Sequence, residues 1–179
     1  MKPYQTKTAT RVQELFFLIA PPRHIMSDVS VLKDDVQYLI GHEFDDRYSK
    51  AHISLFKFND EENFPDIIRQ VELRAAHFKA FNVFIKNLNV FYYGTQRTIY
   101  MDIVNKYPLR DIFEKLVKED AQYTPHITVA SRLAAEDFLK AWPYLKDLPY
   151  SQHFLCDRIT VLAKVENKWT HYQDILFGQ

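Results

Sequence analysis

The sequence repeats one short pattern: a histidine, an aliphatic residue, a hydroxyl residue and a second aliphatic residue. It occurs as His52-Ile53-Ser54-Leu55 and again as His126-Ile127-Thr128-Val129, and none of the other five histidines has Ser or Thr two positions later. Side chains alternate between the faces of a β-strand, so each histidine should share a face with its hydroxyl residue. An imidazole takes up or releases a proton near neutral pH, and a hydroxyl can hold an oxygen of an anion. Two such pairs facing one cleft would supply a general base, a general acid and an anion site.

The composition restricts the kinds of protein that this chain can be. With 179 residues, 47% of them hydrophobic and 26% charged, the chain can form one core or two half-size lobes that share a core. Its formal net charge is zero, which argues against an extended nucleic-acid surface but allows a local basic pocket for a small phosphate-bearing substrate. Only three glycines are present, so a glycine-rich phosphate loop is excluded.

Cofactors and membrane segments are also not expected from the residue pattern. The single Cys156 excludes an intramolecular disulfide, and no third His, Cys or carboxylate follows the two motifs at a spacing typical of zinc ligands, so we expect no metal and no cofactor. No apolar run approaches the ~20 residues that span a bilayer. We therefore expect a cytoplasmic protein that does not insert into membranes.

Hydrophobic periodicity predicts helices mixed with strands that are mostly linked as hairpins. Strands are predicted at 15–20, 51–58, 80–91, 97–105, 125–131, 150–155, 158–165 and 169–177, and helices at 24–40, 63–77, 108–117 and 134–147. We expect residues 1–10 to be frayed and Lys118-Glu119-Asp120 to form a solvated helix end. Helices mixed with strands that are mainly linked as hairpins predict an α+β protein rather than a doubly wound parallel sheet. Each motif strand is followed by a helix and then by strands, an order typical of a duplicated lobe. No Pro-, Gly- or Ser-rich linker divides the chain, so residues 1–179 are expected to form a single bilobal domain.

The paired motifs, with Thr124-Pro125 directly before the second, resemble those of the 2H phosphoesterase superfamily, and most closely its 2′-5′ RNA ligase-like branch. The resemblance covers nearly the whole chain and includes the opening segment 17–22, the strand that carries His52, segment 124–130 and the closing segment 172–177. It implies two similar lobes, each with a mainly antiparallel sheet and flanking helices, around a central cleft lined by both motifs. Members act without metal on 2′,3′-cyclic phosphates, 2′-5′ linkages or related cyclic phosphodiesters.

The resemblance also implies roles for individual residues. His52 and His126 would be the catalytic acid/base pair, and Ser54 and Thr128 would bind the phosphate. Many members carry an arginine directly after the alanine of the second motif. Here Ser131 stands at that position and Arg132 follows it, and a shift of one residue changes the face of a strand. We retain Arg132 as a candidate substrate-binding residue.

Tyr123 is a further candidate, because a tyrosine just before the second motif could stack on a base. The first hypothesis is therefore a phosphodiesterase or 2′-5′ RNA ligase-like enzyme in RNA processing. It would act, as a monomer, on an RNA terminus or small nucleotide that bears a cyclic phosphate. A module that binds a phosphorylated nucleotide without turnover is the alternative, and a plain interaction domain with incidental histidines is a third possibility.

Overall fold

A computed structural model describes residues 11–117 and 122–178 of the chain. The segments 1–10 and Lys118–Asp120, for which the sequence predicts a frayed terminus and a solvated helix end, lie outside the described residues. Within the described ranges there are eight strands and four α-helices: β1 (Val12–Ile19), α1 (Arg23–Ile40), β2 (Ile53–Phe58), α2 (Phe64–Ala75), β3 (Phe81–Tyr93), β4 (Gln96–Ile103), α3 (Lys106–Val117), β5 (His126–Leu133), α4 (Ala135–Leu145), β6 (Ser151–Cys156), β7 (Arg158–Val165) and β8 (Lys168–Leu176).

The described strands form two four-stranded antiparallel sheets, which confirms the predicted α+β class. One sheet has the order β2-β1-β7-β8, and the other has the order β5-β4-β3-β6. The two orders correspond strand by strand. In each sheet the motif strand, β2 or β5, lies at the edge and pairs with the strand that precedes it in the sequence, β1 or β4. The edges β2 and β5 lie beside each other, and this contact brings the two motifs together.

Local sequence signals explain the elements that support the motifs. All five residues from Leu15 to Ile19 are buried, as expected for a strand covered on both faces. Helix α1 buries an apolar stripe and ends at Gly41, which adopts a φ of 86° while its N–H donates to the carbonyl of Gln37 at 2.9 Å. The left-handed conformation favours glycine at this position. Helices α1 and α4 pack on β5, and α2 packs on β8.

Both motif strands contain the same irregularity in register. In the first sheet Leu18 faces Ser54 but Phe17 faces Phe56, which leaves Leu55 as an extra residue. In the second sheet Tyr100 faces Thr128 but Ile99 faces Ala130, which leaves Val129 as the extra residue. The β-bulge thus follows the hydroxyl residue in each motif. A bulge inserts one residue into the alternation, so the side chains beyond it exchange faces relative to a regular strand.

Candidate active site

The two motif histidines are held by the same backbone hydrogen bond. His52 Nδ1 lies 2.7 Å from the carbonyl oxygen of Lys50, and His126 Nδ1 lies 2.7 Å from the carbonyl oxygen of Thr124. Each acceptor is two residues before its histidine. A carbonyl can only accept, so Nδ1 carries the hydrogen, and in the neutral ring Nε2 is left as the basic nitrogen. The repeated backbone geometry therefore presents two imidazoles in the same tautomer.

Aromatic rings fix the orientation of both imidazoles. The ring of Phe16 meets His52 edge-on, with centroids 5.2 Å apart and planes at 86°. Phe91 meets His126 at 4.9 Å and 82°, and Tyr100 contacts the same imidazole at 5.4 Å. Edge-to-face contacts of this kind restrict ring rotation and exclude water from one side of the imidazole.

The surroundings favour the neutral form of both histidines. Burial lowers the pKa of His52 and the pKa of His126, although the carbonyl contact of each ring opposes the shift. The positive charges of Lys33, His126 and Lys57 lower the pKa of His52 further. A proton on His126 therefore disfavours a proton on His52. An unperturbed histidine has a pKa of ~6.5, so each ring is available as a base at neutral pH.

The hydroxyl residues lie beside the histidines. Ser54 is exposed and Thr128 is half-buried. Neither hydroxyl makes a hydrogen bond to another part of the chain that the structure describes. Both hydroxyls are therefore free to donate to a bound anion.

Tyr123 connects the two motifs. Its hydroxyl donates to the carbonyl oxygen of Ser54 at 2.8 Å, and its ring stacks on Phe113 with centroids 4.1 Å apart. Burial raises the pKa of Tyr123, so the phenol stays protonated and remains a donor. The structure thus shows an anchoring contact between the second motif and β2. A contact between Tyr123 and a substrate base stays a prediction.

Arg132 points toward the 42–50 loop. It has a φ of 53°, its side chain is 63% exposed, and its guanidinium pairs with Asp45 at 2.7 Å. The backbone N–H of Ser131 donates to Asp46 at 3.0 Å. No hydrogen bond or ion pair joins Arg132 to either motif histidine within the described ranges. Its role in substrate binding stays a prediction.

Lys57 was missed by sequence reasoning, because regular alternation assigns it to the buried face of its strand. The bulge at Leu55 reverses that assignment. Lys57 faces Phe16 on the neighbouring strand, and its ammonium lies 5.2 Å above the Phe16 ring, which itself contacts His52. Consecutive apolar pairs, Leu55-Phe56 and Val129-Ala130, are the only sequence signal of the two bulges.

The candidate site contains proton-transfer groups and hydrogen-bond donors. Among the described residues, no group of three or more His, Cys, Asp or Glu side chains is placed to hold a metal ion. No helix within 11–117 or 122–178 is both long and apolar enough to cross a membrane.

Known structures share this fold at low sequence identity. Protein TT0787 of Thermus thermophilus superposes with a TM-score of 0.66 at 17% identity, covering 93% of this chain and 99% of that protein. E. coli LigT in complex with 3′-AMP gives a TM-score of 0.58 at 14% identity, covering 95% of this chain and all of LigT (100%). Kluyveromyces marxianus Usb1 gives 0.55 at 12% identity, covering 93% of this chain and 99% of Usb1. At these identities the likeness shows the fold alone.

The sequence comparisons give the family. No curated protein matches the chain at a significant level of similarity. The family model of the 2′-5′ RNA ligase superfamily matches residues 21–168, a range that contains both histidine motifs, the whole second sheet, and strands β2 and β7 of the first. With this match and the shared two-sheet fold, the resemblance seen in the motifs is confirmed: the chain belongs to the 2′-5′ RNA ligase superfamily, within the 2H phosphoesterases.

Proposed function

We propose that this protein is a metal-independent phosphodiesterase acting on 2′,3′-cyclic phosphates or 2′-5′ linkages of RNA ends or small nucleotides. One observation carries the proposal: two imidazoles, each anchored through Nδ1 to a carbonyl at 2.7 Å, stand at the start of the neighbouring edge strands β2 and β5, each with a hydroxyl residue two positions later. Family membership supports phosphodiesterase-type chemistry. LigT, a structural neighbour, has been crystallised with 3′-AMP and with ATP, which supports a nucleotide as the ligand class.

The geometry suits an in-line displacement at phosphorus. With a 2′,3′-cyclic phosphate, one neutral imidazole takes a proton from water while the water oxygen forms a bond to phosphorus. The bond from phosphorus to one ribose oxygen breaks, and the other imidazole, in its protonated form, gives that oxygen a proton. The product is a 2′- or 3′-monophosphate.

The substrate itself helps to produce the required protonation states. Burial holds both histidines toward the neutral form in the free protein, yet the acid must carry a proton. A phosphodiester anion between the rings favours an imidazolium, because an opposite charge at close range raises the pKa of a histidine. The hydroxyls of Ser54 and Thr128 would hold the non-bridging oxygens as charge accumulates there.

The test is release of monophosphate from 2′,3′-cyclic nucleotides in the presence of EDTA. His52→Ala and His126→Ala should each lower kcat by about 10²- to 10⁴-fold, the range typical of a lost acid or base. His24→Ala is the matched control, because His24 is an exposed residue of α1 outside the site. Circular dichroism and thermal melting check that all three variants fold.

Two results would contradict the proposal. Near-wild-type turnover in both site variants would show that the histidines are incidental. Absence of turnover in the wild type, with cyclic nucleotides and with 2′-5′-linked oligonucleotides, would favour the module that binds a phosphorylated ligand without cleaving it. That module would still raise the melting temperature when its ligand is added.

A further inference from the structure

The two motif strands carry different residues at the fifth position after their histidines. Lys57 stands at that position in β2, and Ser131 stands there in β5, where a second register shift falls between Arg97 and Ile99. The side of the cleft that belongs to the first motif therefore carries a cation. On the other side, the backbone N–H of Ser131 is engaged by Asp46, and the neighbouring Arg132 pairs with Asp45.

Lys57 has no carboxylate partner among the described residues, unlike two other lysines in this part of the fold. Lys33 lies beside Asp46, and Lys164 lies 3.9 Å from Glu14. The ammonium of Lys57 instead lies over two aromatic rings, at 5.2 Å from the centroid of Phe16 and 5.3 Å from the centroid of Trp169. Contacts of this kind hold a cation in place without neutralising its charge.

A continuous series of contacts joins this cation to the reacting groups. Trp169 packs on Phe16 with centroids 5.6 Å apart, and Phe16 packs on the ring of His52 at 5.2 Å. An unpaired ammonium beside His52 disfavours the imidazolium in the free protein, and a bound anion would relieve that repulsion. The arrangement is therefore complementary to a phosphate bound next to His52.

We propose that Lys57 binds a non-bridging oxygen of the reacting phosphate, and that Phe16 and Trp169 form the platform that holds its side chain. This inference rests on the proposed function and names the cation of that site. Lys57 is the substrate-contacting residue, whereas Phe16 and Trp169 are positioning residues. The ligand class is a phosphate mono- or diester anion.

The first experiment measures binding of inorganic phosphate, so it does not depend on turnover. The chain has two tryptophans, and Trp142 lies on α4, where it stacks on Phe138. In a Trp142→Phe background, the fluorescence of Trp169 reports directly on the ring under Lys57. The imidazole signals in NMR spectra show independently whether the phosphate reaches His52 and His126.

Lys57→Gln should weaken phosphate binding about 10- to 100-fold, as expected for loss of a charge-assisted hydrogen bond. Lys57→Arg should restore most of the affinity. Lys164→Gln is the matched control, because Lys164 also lies over Trp169, at 5.9 Å, but has Glu14 as a partner. It should leave the affinity within about twofold.

A second measurement tests whether the charge of Lys57 acts on His52, an effect that a merely structural role of Lys57 would not have. The low-pH limb of the kcat/KM profile reports the protonation of the catalytic base in the free enzyme. Lys57→Gln removes a charge that lowers the pKa of His52, so the limb that His52 controls should move to higher pH while the fold is retained. This is the low-pH limb if His52 is the base and the high-pH limb if His52 is the acid. Lys57→Arg should leave the limb where it is in the wild type.

The outcomes distinguish this inference from the proposed function. If phosphate binding depends on Lys57 but cyclic phosphates are not hydrolysed, the proposed function fails and the phosphate site stands. Three results would show that the inference on Lys57 is wrong. Lys57→Gln could bind phosphate as tightly as the wild type, or Lys164→Gln could lose as much affinity as Lys57→Gln. The third result is a wild type that binds no phosphate.

Discussion

Replacing Tyr123 by phenylalanine tests whether this residue anchors the cleft or contacts the substrate. The substitution removes only the hydroxyl that donates to the Ser54 carbonyl at 2.8 Å and keeps the ring that stacks on Phe113. A hydrogen bond of this type contributes about 0.5–1.5 kcal/mol to the free energy of unfolding. In a domain of about 150–250 residues, a loss of about 1 kcal/mol lowers Tm by roughly 2–4 °C.

The expected effect on activity is small. The hydroxyl anchors β2 at Ser54, so its loss should loosen the spacing of the two motifs and reduce kcat/KM by less than about tenfold. Tyr123→Leu should cost more stability, because it also removes an aromatic pair worth about 0.5–1.5 kcal/mol. Thermal and urea denaturation measure the stability, and monophosphate release measures the activity.

Tyr144 provides the matched control, because it is 69% exposed and lies on α4 away from the site. Tyr144→Phe should match the wild type in both Tm and activity. The anchoring interpretation would be refuted if Tyr123→Phe melted with the control but lost activity by about 100-fold. That pattern would show that the hydroxyl acts on the substrate.

Two further predictions concern the phosphate-binding hydroxyl and the histidines. Thr128→Val keeps the shape of the side chain but removes a donor to an anionic oxygen, so kcat/KM should fall about 10- to 100-fold. The control Ser151→Ala, on the exposed edge strand β6, should leave kcat/KM unchanged. Equal kcat/KM values for the two variants would show that the Thr128 hydroxyl is not used. Burial lowers the pKa of His52 and of His126 in the folded protein. As the pH falls below ~6.5, the unfolded chain therefore binds more protons than the folded one, and the free energy of unfolding should decrease. Urea denaturation at pH 7.5 and 5.5 should show a larger loss for the wild type than for the variant with both histidines changed to Asn, and equal losses would contradict this reasoning.

Much of the fold could be predicted from the sequence, because local periodicity determines most of the elements. Its apolar stripe and the following Gly41 predict that α1 ends at residue 40, and in the structure α1 ends at Ile40. The helix predicted to open at Pro108 begins slightly earlier, at Lys106, since proline is tolerated in the first turn of a helix. The strands predicted at 80–91 and 97–105 form the hairpin of β3 and β4, which turns at Gly94.

The site could be predicted only up to the first irregularity in each strand. Alternation placed His52 beside Ser54 and His126 beside Thr128, because the bulges begin after the hydroxyl residues. Beyond the bulge, regular alternation assigns side chains to the wrong face of the strand, and for this reason the sequence did not identify Lys57 as a candidate site residue. The platform under Lys57 was also invisible, because Trp169 reaches it only through the pairing of β1, β7 and β8, and such non-local strand order is not encoded in local periodicity.

The equivalence of the two lobes lies in their backbones and not in their charges. The anchoring carbonyl and the bulge are the same for both histidines, so these two features by themselves do not favour one orientation of a bound phosphate. The aromatic neighbours differ, because Phe16 lies on the adjacent strand β1 whereas Phe91 lies on β3. Lys57 removes that equivalence, because an anion is attracted to the side of the cleft that carries an unpaired ammonium. If Lys57 binds the phosphate, its charge should determine which histidine meets the nucleophile and which meets the leaving oxygen. The Lys57→Gln variant should then lose preference for one of the two ribose oxygens, and the ratio of 2′- to 3′-monophosphate should change relative to the wild type.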